Sequence, residues 1–162
     1  MQVGAIAGGL LAALALALVV ASITDIRRRQ IDNKLNGAIA LAAPLYWWAA
    51  GLGWPAIGWQ LGASAATLLF FGLMFARGYM GGGDVKLLAA LALWIRPDRF
   101  LNLLVAMALA GGVLTLAMLI RHRLGARTEK LEVPYGIAIS AAGLWILAIA
   151  YLPLLRAGAA LG

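Results

Sequence analysis

The feature that most constrains this chain is a series of apolar runs, several close to 20 residues long, separated by short gaps that hold most of its basic residues. About 20 apolar residues in helical form cross the hydrocarbon core of a bilayer. Six runs are candidates, roughly Val3–Thr24, Leu35–Leu52, Pro55–Ala76, Asp84–Ile95, Phe100–Ile120 and Tyr135–Leu155. Hydrophobic residues make up 64% of the 162 and charged residues 12%, about half the usual charged share of a soluble domain. A soluble fold of this size needs more polar surface than that. The fold class expected is all-α, a polytopic membrane protein of about six transmembrane helices, forming one membrane-embedded domain over residues 1–162.

A net charge of +7 raises the question of nucleic acid. The distribution argues against it, because no basic stripe is interleaved with stacking aromatics. The basic residues set membrane orientation instead. With the N-terminus outside, the inner gaps hold Arg27, Arg28, Arg29 and Lys34, then Arg77 and Lys86, then Arg121, Arg123, Arg127 and Lys130. Those are ten of the 13 basic residues, leaving Arg96, Arg99 and Arg156 outside. Residues Met1–Val3 carry no basic side chain, so the first run reads as a retained helix rather than a cleaved signal. Trp47, Trp48, Trp54 and Trp59 flank an outer gap as an interfacial aromatic belt does.

The fourth run is anomalous. Asp84–Ile95 is too short to span at about 1.5 Å per residue. It follows Gly81-Gly82-Gly83, and three consecutive glycines disfavour a helix. Irregular backbone at membrane depth needs protein or water partners, so the stretch around Asp84 is expected to line a wet cavity. Arg96-Pro97-Asp98-Arg99 makes the following outer turn, with Asp98 capping the fifth helix.

Of six acidic residues, Glu129 and Glu132 lie beside Arg127 and Lys130, where local charge pairing accounts for them. Asp25, Asp32 and Asp84 remain, all on the inner face. Asp25 follows the last apolar turn of the first helix, and a loop aspartate offsetting three arginines is the plain alternative. Asp84 opens an apolar helix, where an N-cap is the plain alternative. An ionisable group at membrane depth is nevertheless a functional candidate. Two converging carboxylates share a proton, one acting as general base on water and the other as general acid. On helix polarity alone, Asp84 begins a helix and Asp25 ends one, which favours Asp84 as the base.

At these residues the chain resembles a known family. Gly81-Gly82-Gly83-Asp84-Val85-Lys86 is similar to the GxGD signature of type IV prepilin peptidases. Asp25 with Ile31 and Asn33 is similar to the family's first motif, an aspartate followed by a basic loop and Ile-Pro-Asn. Val133-Pro134-Tyr135-Gly136 is similar to its late Pro-Tyr-Gly segment. The resemblance implies an aspartic endopeptidase of the bacterial inner membrane that removes the basic leader of prepilin or pseudopilin precursors at the cytoplasmic face. It makes Asp25 and Asp84 the catalytic pair. Gly81, Gly82, Gly83, Lys86, Asn33 and Tyr135 become substrate-binding or supporting positions. No cofactor and no metal is implied.

Two departures matter. Asp32 stands where the motif usually has proline. The larger enzymes also carry a cysteine-bearing zinc insertion and N-methylate the new terminus, whereas this chain has no cysteine and a short first inner loop. The resemblance is therefore to the short branch, like the CpaA/TadV peptidases of Flp-type pilus systems, and cleavage without methylation is expected.

Other residues read plainly. His122 is the only histidine and an interfacial side chain, so a zinc protease lacks its ligands. Ser22, Ser64 and Ser140, and the small residues Gly8-Gly9, Gly62 with Ala65-Ala66, and Gly111-Gly112, read as helix-packing positions. The alternative functions are a small proton-coupled transporter, although no repeated halves are visible, and a structural subunit of a secretion system.

Overall fold

The apolar runs become six α-helices: α1 Ala5–Arg28, α2 Asn33–Ala49, α3 Trp54–Ala76, α4 Gly82–Ala92, α5 Pro97–Leu124 and α6 Tyr135–Ala159. The structure, a computed structural model, describes residues 4–124 and 135–159, with the side chains of 121–124, 152 and 154–159 outside that description. The expectations for Arg121, His122, Arg123, Arg127, Glu129, Lys130, Glu132, Val133, Pro134 and the Arg156 side chain therefore lie outside the described residues. Among the described residues there is no strand, and the all-α expectation holds.

Among the described residues, three helices are long and apolar enough to cross a membrane: Ala5–Arg28, Trp54–Ala76 and Pro97–Ile120. The 25 residues of α6 begin with an apolar stretch, Tyr135–Tyr151. The shorter α2 has 17 residues. The 11 residues of α4 rise about 16 Å, roughly half a bilayer core. The six helices, three of them candidate spans among the described residues, agree with a polytopic helical membrane protein.

The outward face of α3 shows which solvent this surface suits. Its buried residues are Gln60, Ser64 and Thr67, spaced on one helical face. Leu61, Leu68, Leu69, Phe70 and Leu73 are exposed. Polar inside and apolar outside reverses the pattern of a soluble helix and matches a helix facing lipid, where packing and interhelical hydrogen bonds hold the bundle. Ser64 Oγ makes one such bond, donating to the Ala89 carbonyl at 2.9 Å.

The short α4 is the centre of the bundle. Leu87, Leu88 and Leu91 are wholly buried, and α4 packs against α2, α3 and α6. Beyond its C-terminus the indole of Trp47 donates to the Leu93 carbonyl at 2.7 Å. Trp94, itself buried, donates to the Ile39 carbonyl at 2.9 Å and stacks on Tyr46 with ring centroids 5.1 Å apart. A helix that stops inside a bundle must satisfy its last carbonyls without water, and the Trp47 indole meets part of that need, whereas Trp94 ties the segment after α4 to α2. Trp48, Trp54 and Trp59 are exposed as a belt requires, but Trp47 is half-buried and serves α4 instead.

Helix ends differ from the sequence expectation in two places that matter for the site. First, α1 continues past Thr24 to Arg28, so Asp25 is helical and buried rather than in a loop. It extends the buried stripe Leu11, Leu14, Leu18 and Ala21. Second, α4 begins at Gly82 with Gly81 as N-cap. Two of the three glycines are helical, and Asp84 is the third residue of the helix rather than its cap. Asp98 likewise lies inside the first turn of α5, where its carboxylate pairs with Arg96 at 3.2 Å.

The small-residue expectations divide. A Cβ on Gly9, Gly62 or Gly112 would meet nothing within 4 Å, so these are not close helix contacts. Gly111 is one, against the Tyr135 ring at 3.2 Å. Gly143 is another, missed from the sequence, where a Cβ would lie 2.9 Å from Leu18 Cδ1.

Candidate active site

The C-terminus of α1 and the N-termini of α2, α4 and α6 gather at one end of the bundle, around Asp25. Arg29 closes α1 in the left-handed conformation, φ 51° and ψ 34°, with its N–H on the Asp25 carbonyl at 2.8 Å. That turn is unusual for a residue with a side chain. After it, residues 30–32 lead directly into α2, and the Ile31 side chain is buried.

A cavity of about 440 Å³ opens here, lined by Asp25, Arg29, Gln30, Ile31, Asp32, Asn33, Gly81, Gly82, Gly83 and Asp84. Asp25 and Asp84, from different helices, thus line one cavity. Both are held by main-chain amides at helix N-termini. Asp25 Oδ2 accepts from Ile137 N–H at 3.2 Å, with Gly136 N–H also directed at the carboxylate. The Asp84 side chain folds back onto the Gly81 N–H, the reciprocal half of a capping box. The first turns of α6 and α4 therefore both point donors and positive dipole ends at the pair. This removes the ground for naming Asp84 as the base on helix polarity. Asp25 does end α1, but the opening turn of α6 offsets that.

A Cβ would be crowded at four glycines here. A Cβ on Gly136 would stand 2.7 Å from Asp25 Oδ2 and 2.8 Å from Ile31 Cδ1. On Gly83 it would stand 3.1 Å from the Ile31 carbonyl oxygen, and on Gly82 3.1 Å from the Phe75 ring. Gly81 would place a Cβ 2.9 Å from Asp84 Oδ2. The glycine run thus lets the N-terminal turn of α4 lie against the loop after α1.

Of the expected supporting residues, Gly81, Gly82, Gly83 and Asn33 line the cavity. Lys86 is exposed at its rim and donates to Asn33 Oδ1 at 2.7 Å. Tyr135 is elsewhere: it packs on Gly111 of α5, and its neighbours Gly136 and Ile137 are the residues that touch Asp25. Asp32 lines the cavity as an exposed residue. It is the N-cap of α2 but makes no side-chain capping bond. Among the described residues, no three side chains of metal-binding type converge. Sequence reasoning missed Asn36, whose buried side chain donates from Nδ2 to the Gly83 carbonyl at 3.0 Å. Its position one turn beyond Asn33 was the available signal.

The structure is thus a helical bundle with apolar outer faces and two aspartates in a cavity at one end. The model of the type IV leader peptidase family matches residues 12–116, which hold Asp25, the loop after it and the glycine–aspartate turn. The chain belongs to that family and is a membrane peptidase of the prepilin-leader type. The Pro-Tyr-Gly segment falls beyond the matched residues. Comparisons with curated proteins and with solved structures each found no match.

Proposed function

We propose that the chain is an aspartic endopeptidase that removes the leader of prepilin-like precursors, with Asp25 and Asp84 as its general acid–base pair. The observation that carries this reading is that the two aspartates, from α1 and α4, line a single cavity. One carboxylate takes a proton from water as the water attacks the scissile carbonyl, and the other protonates the leaving amine. Two carboxylates that share a site favour holding one proton between them, which is the protonation state this chemistry needs. The amides of Gly136 and Ile137 fix the Asp25 carboxylate, and the Gly81 amide fixes that of Asp84. Asn33 gives its Oδ1 to Lys86, which leaves its amide N–H groups for a substrate carbonyl.

Orientation follows from charge. Arg27, Arg28, Arg29, Lys34, Arg77 and Lys86 lie at the cavity end, and Arg96 and Arg99 at the other. By the positive-inside rule the cavity opens to the cytoplasm of a bacterial inner membrane, with the N-terminus outside. The substrate is a precursor whose apolar segment lies in the bilayer and whose leader reaches the cavity. The absence of cysteine and the short first loop support the short CpaA/TadV-like branch acting on Flp-type precursors, with cleavage and no methylation of the product.

Processing of an Flp-type precursor in membranes tests the reading with Asp25→Asn, Asp32→Asn and Asp84→Asn compared at equal expression. Loss in the first and third with retention in the second is expected. Retained cleavage in Asp84→Asn would end the dyad reading.

A further inference from the structure

The two aspartates come from different helices. Asp25 is held between α1 and α6, and Asp84 starts α4, which packs against α2, α3 and α6. The Ile31 side chain touches a residue next to each. Ile31 is buried, and it lies against Gly136 through Cδ1 and against Gly83 through its own Cβ and backbone, at the 2.8 and 3.3 Å approaches that a glycine Cβ would have. Gly136 is the residue pressed on the Asp25 carboxylate, and Gly83 immediately precedes Asp84. Ile31 is also the one large apolar side chain lining an otherwise polar cavity.

We propose that Ile31 is a positioning residue, a spacer whose side chain fills the space between the helix ends that carry the two aspartates and keeps water out of it. The inference rests on the dyad reading above. Rigid partners on either side make it effective. Gly83 is fixed by Asn36, α4 is fixed by Ser64 and Trp94, and Gly136 is fixed by its contact with Asp25. Shortening residue 31 therefore opens a gap beside the cavity that water fills, because the helices are held and do not close over it. Water between two carboxylates screens their interaction.

The test reads that interaction directly and needs no substrate. The chain has four aspartates, Asp25, Asp32, Asp84 and Asp98. Carbonyl-¹³C aspartate labelling of the protein in detergent micelles gives four carboxyl titrations, assigned by Asp→Asn variants. The charged groups facing Ile31 across the cavity are Asp25, Arg29, Asp32 and Asp84, with Lys86 at the rim. In the parent protein, Asp25→Asn shifts the Asp84 titration. Ile31→Val, which removes only the atom nearest Gly136, brings the Asp25 and Asp84 midpoints together by on the order of half a pH unit, and Ile31→Ala by more. Ile31→Leu retains the bulk and most of the separation. Unchanged midpoints in Ile31→Val, with Asp25→Asn still shifting Asp84, would overturn the spacer and leave the dyad standing. No effect of Asp25→Asn on Asp84 would overturn the dyad and the spacer with it.

Discussion

Asn36 and Gly83 are joined by a buried hydrogen bond, the Asn36 Nδ2 donating to the Gly83 carbonyl at 3.0 Å. It runs from the second turn of α2 to the first turn of α4, next to Asp84 in sequence. The bond ties the loop side of the cavity to the glycine side. Asn36→Leu keeps the size and removes the donor. It should lower stability in detergent by about 1 kcal/mol and reduce turnover more than substrate affinity, as separate measurements of kcat and KM would show.

Gly136 faces Asp25 with no room for a methyl group. Gly136→Ala improves intrinsic helix propensity yet drives a Cβ into the carboxylate. Cleavage should fall by about two orders of magnitude, the effect of a small displacement of catalytic groups, while helical circular dichroism is retained. Gly112→Ala, with open space around it, is the matched control and should cleave normally.

The two indoles that serve backbone carbonyls can be separated from those in the belt. Trp47→Phe removes the donor to Leu93, and Trp94→Phe the donor to Ile39. Each should cost about 1–3 kcal/mol by leaving a buried carbonyl short of a partner. Trp48→Phe, at a residue 75% exposed, should change little. Thermal unfolding in one detergent ranks the three.

Because two interacting carboxylates titrate as a pair, the pH dependence of kcat/KM should be bell-shaped, with limbs that belong to the dyad and not to either residue. Asp98→Asn breaks only the exposed pair with Arg96 at the far end and should leave the bell in place. Rates of a fluorogenic leader peptide across pH check both statements.

Much of this arrangement is legible in the chain because membrane helices and charge-biased gaps are local signals. The helical runs, the anomalous fourth segment and the placement of Asp25 and Asp84 at one end of the bundle follow from them. What escapes is decided by contacts between distant segments. The apolar run ends at Thr24, yet α1 continues because the first turn of α6 supplies amides to Asp25. Three glycines argue locally against a helix, yet Gly82 and Gly83 are helical, packed closely against Phe75 and Ile31 from distant parts of the chain. Tyr135 is the conspicuous residue of its segment, but the contact with Asp25 is made by the glycine and the amide that follow it. Trp47 looks like its neighbours, and only the end of α4 distinguishes it.

The burial of α4 has a mechanical consequence. The spanning helices α1, α3 and α5 expose long apolar faces and must tilt or stretch with the thickness of the surrounding bilayer. Asp84 is carried instead on a half-length helix whose side chains rest almost wholly on protein, so its depth is referenced to α2, α3 and α6 and not to the lipid. On the dyad reading, the depth of cleavage is then set by helix packing, and lipid composition should act chiefly on how the substrate's apolar segment is presented.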